Sequence, residues 1–220
     1  LGGVLRFDGK ALRQSSGQAW THYTPPDALF YIYGIGQTAD SVLWFGSVNG
    51  LRRFDGRTWT PVTDPEEFTA SSIDKIHSTP GGDLWVGTRN YGAFHLVEKS
   101  WTRYDVRDGL ADNAVTGILQ SGDGSTWVAT TRGISRFDGR TWTTSALPMN
   151  IRIENIDGGA FRQSRDGALW VNQTNEPWIV RAWPGHYLPK KEAGSSLRTI
   201  RYQPDIVPPE TEIIAPLDKV

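Results

Sequence analysis

Four tryptophans recur at nearly constant steps along the chain: Trp44, Trp85, Trp127 and Trp170, separated by 41, 42 and 43 residues. A second series keeps the same interval, Trp59, Trp101 and Trp142, with steps of 42 and 41. An internal period of ~40–45 residues with strand-like text in each unit is the signature of a β-propeller, in which each repeat forms one four-stranded blade. The expected fold is therefore all-β, a stack of such blades. Repeats this regular are mostly scaffold, so the same observation argues against an enzyme.

The units are legible in the letters. One carries Leu43-Trp44-Phe45-Gly46, Arg53-Phe54-Asp55-Gly56 and Trp59-Thr60; the next carries Leu84-Trp85-Val86-Gly87 and Trp101-Thr102; a third carries Thr126-Trp127-Val128-Ala129, Arg136-Phe137-Asp138-Gly139 and Trp142-Thr143. A fourth begins Asp166-Gly167-Ala168-Leu169-Trp170 and then decays, and the chain opens on the tail of a further unit, Leu5-Arg6-Phe7-Asp8-Gly9, with a longer hairpin over 11–19 before Trp20. Each unit divides into strands A to D. Strand A covers 73–78, 115–120 and 160–163; strand B, 42–46, 84–88, 126–130 and 169–172. Strand C covers 51–54, 93–97 and 134–137; strand D, 58–62, 101–104 and 141–144. Asp55-Gly56 and Asp138-Gly139 predict two-residue hairpins between C and D, with positive φ at both positions. Asp123-Gly124, Asp166-Gly167 and Pro80-Gly81-Gly82 mark the A–B turns. No stretch has a 3.6-residue apolar period.

Strand B explains why the blades must stack. In Leu84-Trp85-Val86, Leu84 and Val86 face one way and Trp85 the other, so both faces are apolar and both need cover. Burying ~200 Å² of one tryptophan contributes roughly 5 kcal/mol before entropy is counted. Trp44, Trp85, Trp127, Trp170, Trp59, Trp101 and Trp142 are accordingly read as packing residues. The organisation is a partial blade over 1–27, blades over 28–67, 68–113 and 114–154, and a degenerate blade over 155–203. That is about four and a half to five repeats, where closed rings have four to eight. The two end units do not complement each other as halves of one blade, so the repeats are expected to belong to a larger ring. Residues 204–220 are proline-punctuated and read as a linker, with 211–215 the first strand of a further domain.

Composition narrows the partners. The 23 basic and 24 acidic residues leave a formal net charge of −1 with no basic stripe, which excludes nucleic acid as an expected partner. No apolar run is long enough to span a bilayer. Leu1-Gly2-Gly3-Val4 lacks a basic segment followed by an apolar one and is not a signal peptide. The absence of cysteine removes disulfides, thiolate metal sites and cysteine nucleophiles together.

Catalytic constellations are missing from the text. His22, His77, His95 and His186 are scattered without metal-ligand spacing, and neither a Gly-x-Ser-x-Gly elbow nor a Walker loop occurs. No cofactor is expected. Asp105, Asp108, Asp112 and Asn113 offer oxygens of the kind calcium takes. Their spacing is not that of an EF-hand, and an Asp/Gly/Asn-rich turn is the preferred reading. Ser121-Gly-Asp-Gly-Ser-Thr-Trp127 and Ser164-Arg-Asp-Gly-Ala-Leu-Trp170 resemble the sialidase Asp-box, a structural hairpin one residue longer between Asp and Trp. The B–C loops carry Asn49, Arg89, Asn90, Tyr91, Arg132, Asn175 and Glu176. They vary on a constant frame, at the end of the stack shared with the D–A loops; a one-off binding face varies in this way, and so do exposed loops that simply drift. Arg89 and Arg132 suit an anionic group, and Tyr91 suits stacking on a sugar.

The text of 42–60, together with Asp108-Gly109-Leu110-Ala111-Asp112-Asn113 leading into the next strand A, resembles the two-component regulator propeller repeat. The resemblance covers roughly 1–175. The unit of 82–105 departs from it at Phe94-His95-Leu96-Val97-Glu98-Lys99, and the last unit keeps only the Asp-Gly-x-Leu-Trp core. The resemblance implies a periplasmic or extracellular sensor module of a bacterial signalling protein. It implies a ligand-binding module with a signalling domain further along the same polypeptide; the expected ligand is a small molecule or carbohydrate, and a homodimer is an expected assembly. Pro208-Pro209-Glu210-Thr211 resembles the approach to an immunoglobulin-like domain. Two other roles fit the same frame: a protein–protein interaction scaffold, and a propeller lyase or glycosidase. Streptogramin-type lyases are propellers with tryptophan-bearing strands, but no distinctive His/Glu pair supports that assignment.

Overall fold

A computed structural model of the chain describes residues 4–8, 20–25, 31–146, 161–164, 167–172, 179–184 and 197–202. They form β1 (Val4–Phe7) and β2 (Trp20–Tyr23), paired antiparallel, followed by four antiparallel four-stranded sheets. The first sheet holds β3 (Ile32–Gln37), β4 (Leu43–Ser47), β5 (Gly50–Phe54) and β6 (Trp59–Val62). The second holds β7 (Ile73–Ser78), β8 (Leu84–Thr88), β9 (Ala93–Val97) and β10 (Ser100–Tyr104). The third holds β11 (Val115–Gln120), β12 (Thr126–Thr130), β13 (Gly133–Phe137) and β14 (Trp142–Ala146). The fourth holds β15 (Phe161–Gln163), β16 (Leu169–Asn172), β17 (Ile179–Pro184) and β18 (Leu197–Tyr202). Strands pair in sequence order within every sheet, and first strands lie side by side: β3 against β7, β7 against β11, β11 against β15. This is the blade arrangement of a propeller. One helical turn, α1 (Glu67–Ala70), interrupts the loop between the first two blades and buries Phe68.

The two tryptophan series turn out to be two sides of one contact. Trp44 on β4 meets Trp101 on β10 of the next blade edge to face, with ring centroids 5.8 Å apart. Trp85 on β8 meets Trp142 on β14 in the same way, at 6.2 Å. Both of these strand-B indoles thus reach across to the strand-D indole of the following blade, in the T-shaped geometry that aromatic quadrupoles favour. Around Trp85 the socket is completed by Tyr104 and Phe137. The register also extends the second series back to Trp20, since Phe7↔Trp20, Phe54↔Trp59 and Phe137↔Trp142 are equivalent cross-strand pairs.

Two residues beyond Trp44 and Trp85 the side chain must be small. A Cβ on Gly46 would stand 2.7 Å from Ile73, and one on Gly87 would stand 2.5 Å from Val115. These are the first residues of the next blade's strand A, so the glycines set how closely blades approach. At the opposite end of strand B the tryptophan is anchored through its polar edge. The indole Nε1 of Trp44 donates to Thr38 Oγ1 (3.0 Å), that of Trp127 to Ser121 Oγ (3.2 Å) and that of Trp170 to Ser164 Oγ (3.0 Å). Thr38 and Ser121 in turn donate to Asp40 and Asp123. The Ser/Thr-x-Asp hairpins that resemble an Asp-box therefore do structural work, tying the turn to the core. The Ser121 hydroxyl, with further donors from Ser125 and Arg136, holds the Asp123 carboxyl far below the usual carboxylate range.

The C–D turns differ from the expected two-residue hairpins. They are four-residue loops in which only the glycine, Gly56 or Gly139, has positive φ (+95° and +96°). The aspartate acts through its side chain instead: Asp55 Oδ1 accepts from the backbone N–H groups of Arg57 and Thr58, and Asp138 Oδ1 from those of Arg140 and Thr141. An Asx carboxylate that satisfies two orphan donors stabilises the longer loop and removes the need for a second residue with positive φ.

His77, Trp85 and His95 stand directly opposite one another on β7, β8 and β9. The His95 ring stacks on the Trp85 indole at 4.1 Å. Both Nε2 atoms are buried without a hydrogen-bond partner, and Asp83 Oδ2, 3.5 Å from His95 Nε2, is too distant for a good one. Burial pushes both imidazoles below their ordinary 6.5; Arg162 lowers His77 further, while Asp83 pulls His95 partly back.

A double-mutant cycle on Trp85→Leu and Trp142→Leu should show a coupling of about 1 kcal/mol in urea unfolding, whereas Trp85 and Trp59 should be additive. Gly87→Val should destabilise by about 1–3 kcal/mol through overpacking against Val115. With both histidine pKa values depressed on folding, the unfolded chain takes up protons first as the pH drops below 6.5. Stability should fall through that window and level off once the folded rings are protonated. The urea midpoint of the His77→Gln/His95→Gln variant should lose this slope and keep only the loss at lower pH, where the turn aspartates protonate.

Candidate loop-face site

The B–C turns and the D–A loops meet at one end of the stack, and backbone hydrogen bonds join them. Arg89 N–H donates to Ser72 C=O (3.2 Å), Gly92 N–H to Asn113 C=O (2.9 Å) and Thr131 N–H to Ala114 C=O (3.1 Å). The turns are held open by strand-end hydroxyls. Ser47, Thr88 and Thr130 each donate to the backbone carbonyl of Gly50, Gly92 and Gly133 across the turn.

The loop 105–114 is a tightly bonded knot. Asp105, 3% exposed, receives the Arg107 guanidinium through both carboxylate oxygens (2.6–3.1 Å) and lies 3.4 Å from Arg103. The Arg107 hydrogen bonds hold the Asp105 carboxyl below its ordinary value. Asp108 accepts from Asp105 N–H, Asn113 Oδ1 from Val106 N–H, and Asp112 from the Thr131 hydroxyl. The oxygens that sequence alone offers to a cation are thus engaged by the loop itself, and among the described residues no group of three acidic, histidine or cysteine side chains is placed to hold a metal ion.

The expected binding residues divide into three groups. Arg89 and Arg132 are exposed at the loop face, but each already faces a carboxylate: Arg89 Nε lies 3.3 Å from Asp74, and Arg132 Nε lies 3.3 Å from Asp112. Asn49 and Asn90 are exposed on the same turns. Tyr91 is half-buried, packed against the core around Trp44, with the Arg103 guanidinium 5.5 Å above its ring and Arg103 Nε on its backbone carbonyl. Its ring is therefore a structural platform more than an open one. Asn175 and Glu176 lie outside the described residues. His77 and His95 sit in the blade wall beside Trp85, not in the loops.

Sequence reasoning missed three residues at this end. The first strands of three consecutive blades carry a β-bulge at the same place, and the extra residues are Tyr33, Asp74 and Thr116. Bulges bend a strand and re-aim a side chain, and they recur next to functional sites. Asp74 is 1% exposed and receives the Ser72 hydroxyl and Arg89 Nε. Thr116 is 8% exposed, and its Oγ1 is buried with no hydrogen-bond partner. An unpaired buried hydroxyl costs about 1–3 kcal/mol, so something must normally satisfy it. No signal in a single sequence marks such a bulge.

Comparison with known proteins bears on the fold. No protein-family model and no curated protein matches the chain. Among solved structures, it is similar to the extracellular domain assigned to the hybrid two component system BT3049 from B. thetaiotaomicron, at 16% identity and a TM-score of 0.59, covering 83% of this chain and 28% of that one. It is likewise similar to the extracellular domain of BT4673 from B. thetaiotaomicron, assigned to a one component system, at 20% identity and a TM-score of 0.52, covering 81% and 26%. A third is the virginiamycin B lyase from Staphylococcus aureus, at 15% identity and a TM-score of 0.57, covering 82% and 58%. The chain thus spans about a quarter of the sensor ectodomains and under two thirds of the lyase. The fold is that of a β-propeller built of four-stranded blades, and the extracellular sensor domains among its structural neighbours agree with the resemblance of its repeats to the two-component regulator propeller family.

Proposed function

We propose that this chain is a non-catalytic, ligand-sensing segment of the propeller of a bacterial signalling protein, facing the periplasm or the exterior. It binds a small molecule or a glycan at the loop face, and a signalling domain further along the same polypeptide reads the result. No helix among the described residues is long and apolar enough to cross a membrane.

The observation that carries this reading is the bulged first-strand position. Buried Asp74 with its Arg89 partner and the unpartnered hydroxyl of Thr116 occupy equivalent places on neighbouring strands, at the end where the variable turns gather. An Arg–Asp pair is close to neutral as a unit while keeping donors and acceptors on offer. Two such pairs favour a neutral, hydroxyl-bearing ligand over an anion, because an anion must compete with the carboxylate already in place. The likeness to a lyase, at 15% identity, bears on the fold alone.

The test is a calorimetric screen of neutral oligosaccharides and polyols against the chain, repeated on variants. Thr116→Val should leave stability unchanged or raise it by up to about 1 kcal/mol, since it removes an unpaired buried hydroxyl, and it should weaken binding about tenfold or more. Arg89→Ala and Arg132→Ala should weaken binding with little change in melting temperature. Unchanged affinity in all three variants would overturn the site. Turnover of any glycan that survives purification to homogeneity would overturn the non-catalytic reading.

A further inference from the structure

The second blade departs from its neighbours at one coordinated set of positions. In each four-stranded blade a strand-C residue stands opposite the strand-B tryptophan. It is Arg53, Arg136 and Arg181 in the first, third and fourth blades, but His95 in the second. In the third blade the arginine acts as a clamp. Its guanidinium lies 5.8 Å over the Trp127 ring, and Nη2 donates to Asp123 Oδ2 (3.0 Å) and Ser125 Oγ (2.6 Å). The second blade has Gly81 in place of that turn aspartate, and Asp83 where the third has Ser125. The carboxylate has moved with the cation: Asp83 Oδ2 stands 3.5 Å from His95 Nε2. A permanent cation–carboxylate clamp in one blade is a titratable pair in the other.

The surroundings decide which charge state this place accepts. The His95 ring lies flat on Trp85, with planes 10° apart, and His77 stands opposite the same tryptophan on the other flanking strand. The third blade has Leu119 at the His77 position. Trp85 is the side chain through which the second blade enters the third, surrounded by Tyr104, Phe137 and Trp142. Of the groups around the two rings, β8 offers the indole, β10 offers Thr102 and Tyr104, β13 offers Phe137 and β14 offers Trp142. The Tyr104 hydroxyl, pushed up by burial and by Asp108, stays neutral across the histidine range. Burial disfavours the charged form of both imidazoles; beyond that, Asp83 favours protonation of His95 and Arg162 of β15 opposes that of His77. One protonated ring meets a carboxylate at 3.5 Å and the other only a second cation, each with a buried, unpartnered Nε2.

We infer that the joint between the second and third blades is a proton-operated latch, closed around Trp85 while His77 and His95 are neutral and loosened when they take up protons. Neutral rings pack as aromatic surface beside the indole. Imidazolium rings need water or a well-placed carboxylate, which the closed joint does not supply. Both folded-state values lie below the ordinary 6.5, so the loosening is absent above that pH and sets in as the pH falls below it. At the joint between the first and second blades, where Trp44 meets Trp101, the corresponding positions are Gly36 and Arg53, and neither titrates in this range. The latch does not depend on the loop-face reading, since its groups lie in the blade wall.

The Trp142 indole N–H is the natural probe. It is buried at this joint without a hydrogen-bond partner, so burial alone protects it from exchange. Its exchange with solvent is followed by NMR in the intact chain, with indole signals assigned through Trp142→Phe and Trp44→Phe and rates corrected for the intrinsic effect of pH. The rate should rise several-fold between about pH 7.5 and about pH 5. The Trp44 indole N–H, bonded to Thr38 at the neighbouring joint, should keep its rate. Giving the second blade the third blade's residues, His77→Leu with His95→Arg, should abolish the acceleration, and so should His77→Gln with His95→Gln. In the unaltered chain the ring Cε1 protons of both histidines should titrate below 6.5. A constant Trp142 rate, an equal acceleration at Trp44, or an acceleration that survives in either double variant would overturn the latch. Titration of both rings at or above 6.5 would do the same.

Discussion

Edge-to-face contact between a strand-B tryptophan and the strand-D tryptophan of the following blade is the interaction on which the other features rest. A four-stranded sheet with apolar side chains on both faces has no stable existence alone in water. Here it gains one by lending an indole to the next sheet and accepting one from the sheet before. The geometry then propagates. With Trp44 against Trp101 and Trp85 against Trp142, the first strands are brought close enough that Gly46 and Gly87 touch the opening residues of β7 and β11. The hydroxyl–aspartate pairs beneath Trp44 and Trp127 fix the donor indoles through contacts within six residues of sequence. Local turn chemistry and long-range packing therefore ask for the same conformation, which is the consistency expected of a repeat that folds by stacking.

Much of this was legible in the letters, and what was not has identifiable physical causes. Strands β7, β8, β9, β11, β12 and β16 fall where periodicity and turn residues put them, because alternation and Asp-Gly punctuation are local signals. The two tryptophan series were visible, but their mutual contact was not, since a period reports equivalence and says nothing about which equivalent positions touch. The C–D turns were misjudged because Asp-Gly is compatible with two solutions. The aspartate either takes positive φ itself or bonds ahead through its carboxylate, and the Arg-Thr that follows in both loops supplies the donors for the second. The bulges at Tyr33, Asp74 and Thr116 left no trace at all: three unrelated side chains share one backbone irregularity. As a result the exposed Arg89 was recognised while its buried partner Asp74, fifteen residues earlier, was passed over.

The loop face and the blade wall divide labour along each strand. Near the A–B turns, polar groups are consumed by structure: Asp40, Asp123 and their hydroxyl donors point at the tryptophans. Near the B–C turns, the strand-end hydroxyls bridge their own turns, and charge appears as pairs between successive chain segments, Arg89 with Asp74 and Arg132 with Asp112. Because Arg132 reaches into the loop that leads to its own blade, that pair ties the loop face to the connection between blades.

The open surroundings of Gly56 and Gly139 have a consequence for how such a chain diversifies. A side chain added at either glycine would meet nothing within 4 Å. The hairpin that ends in Trp20 keeps the same Phe-to-Trp register as its counterparts although its connecting segment is longer. Positive φ still favours glycine at both positions, but the outer rim has room for a longer connection without disturbing the register that the aromatic pair maintains. New surface loops, or a grafted epitope, can replace the whole C–D turn with the frame intact.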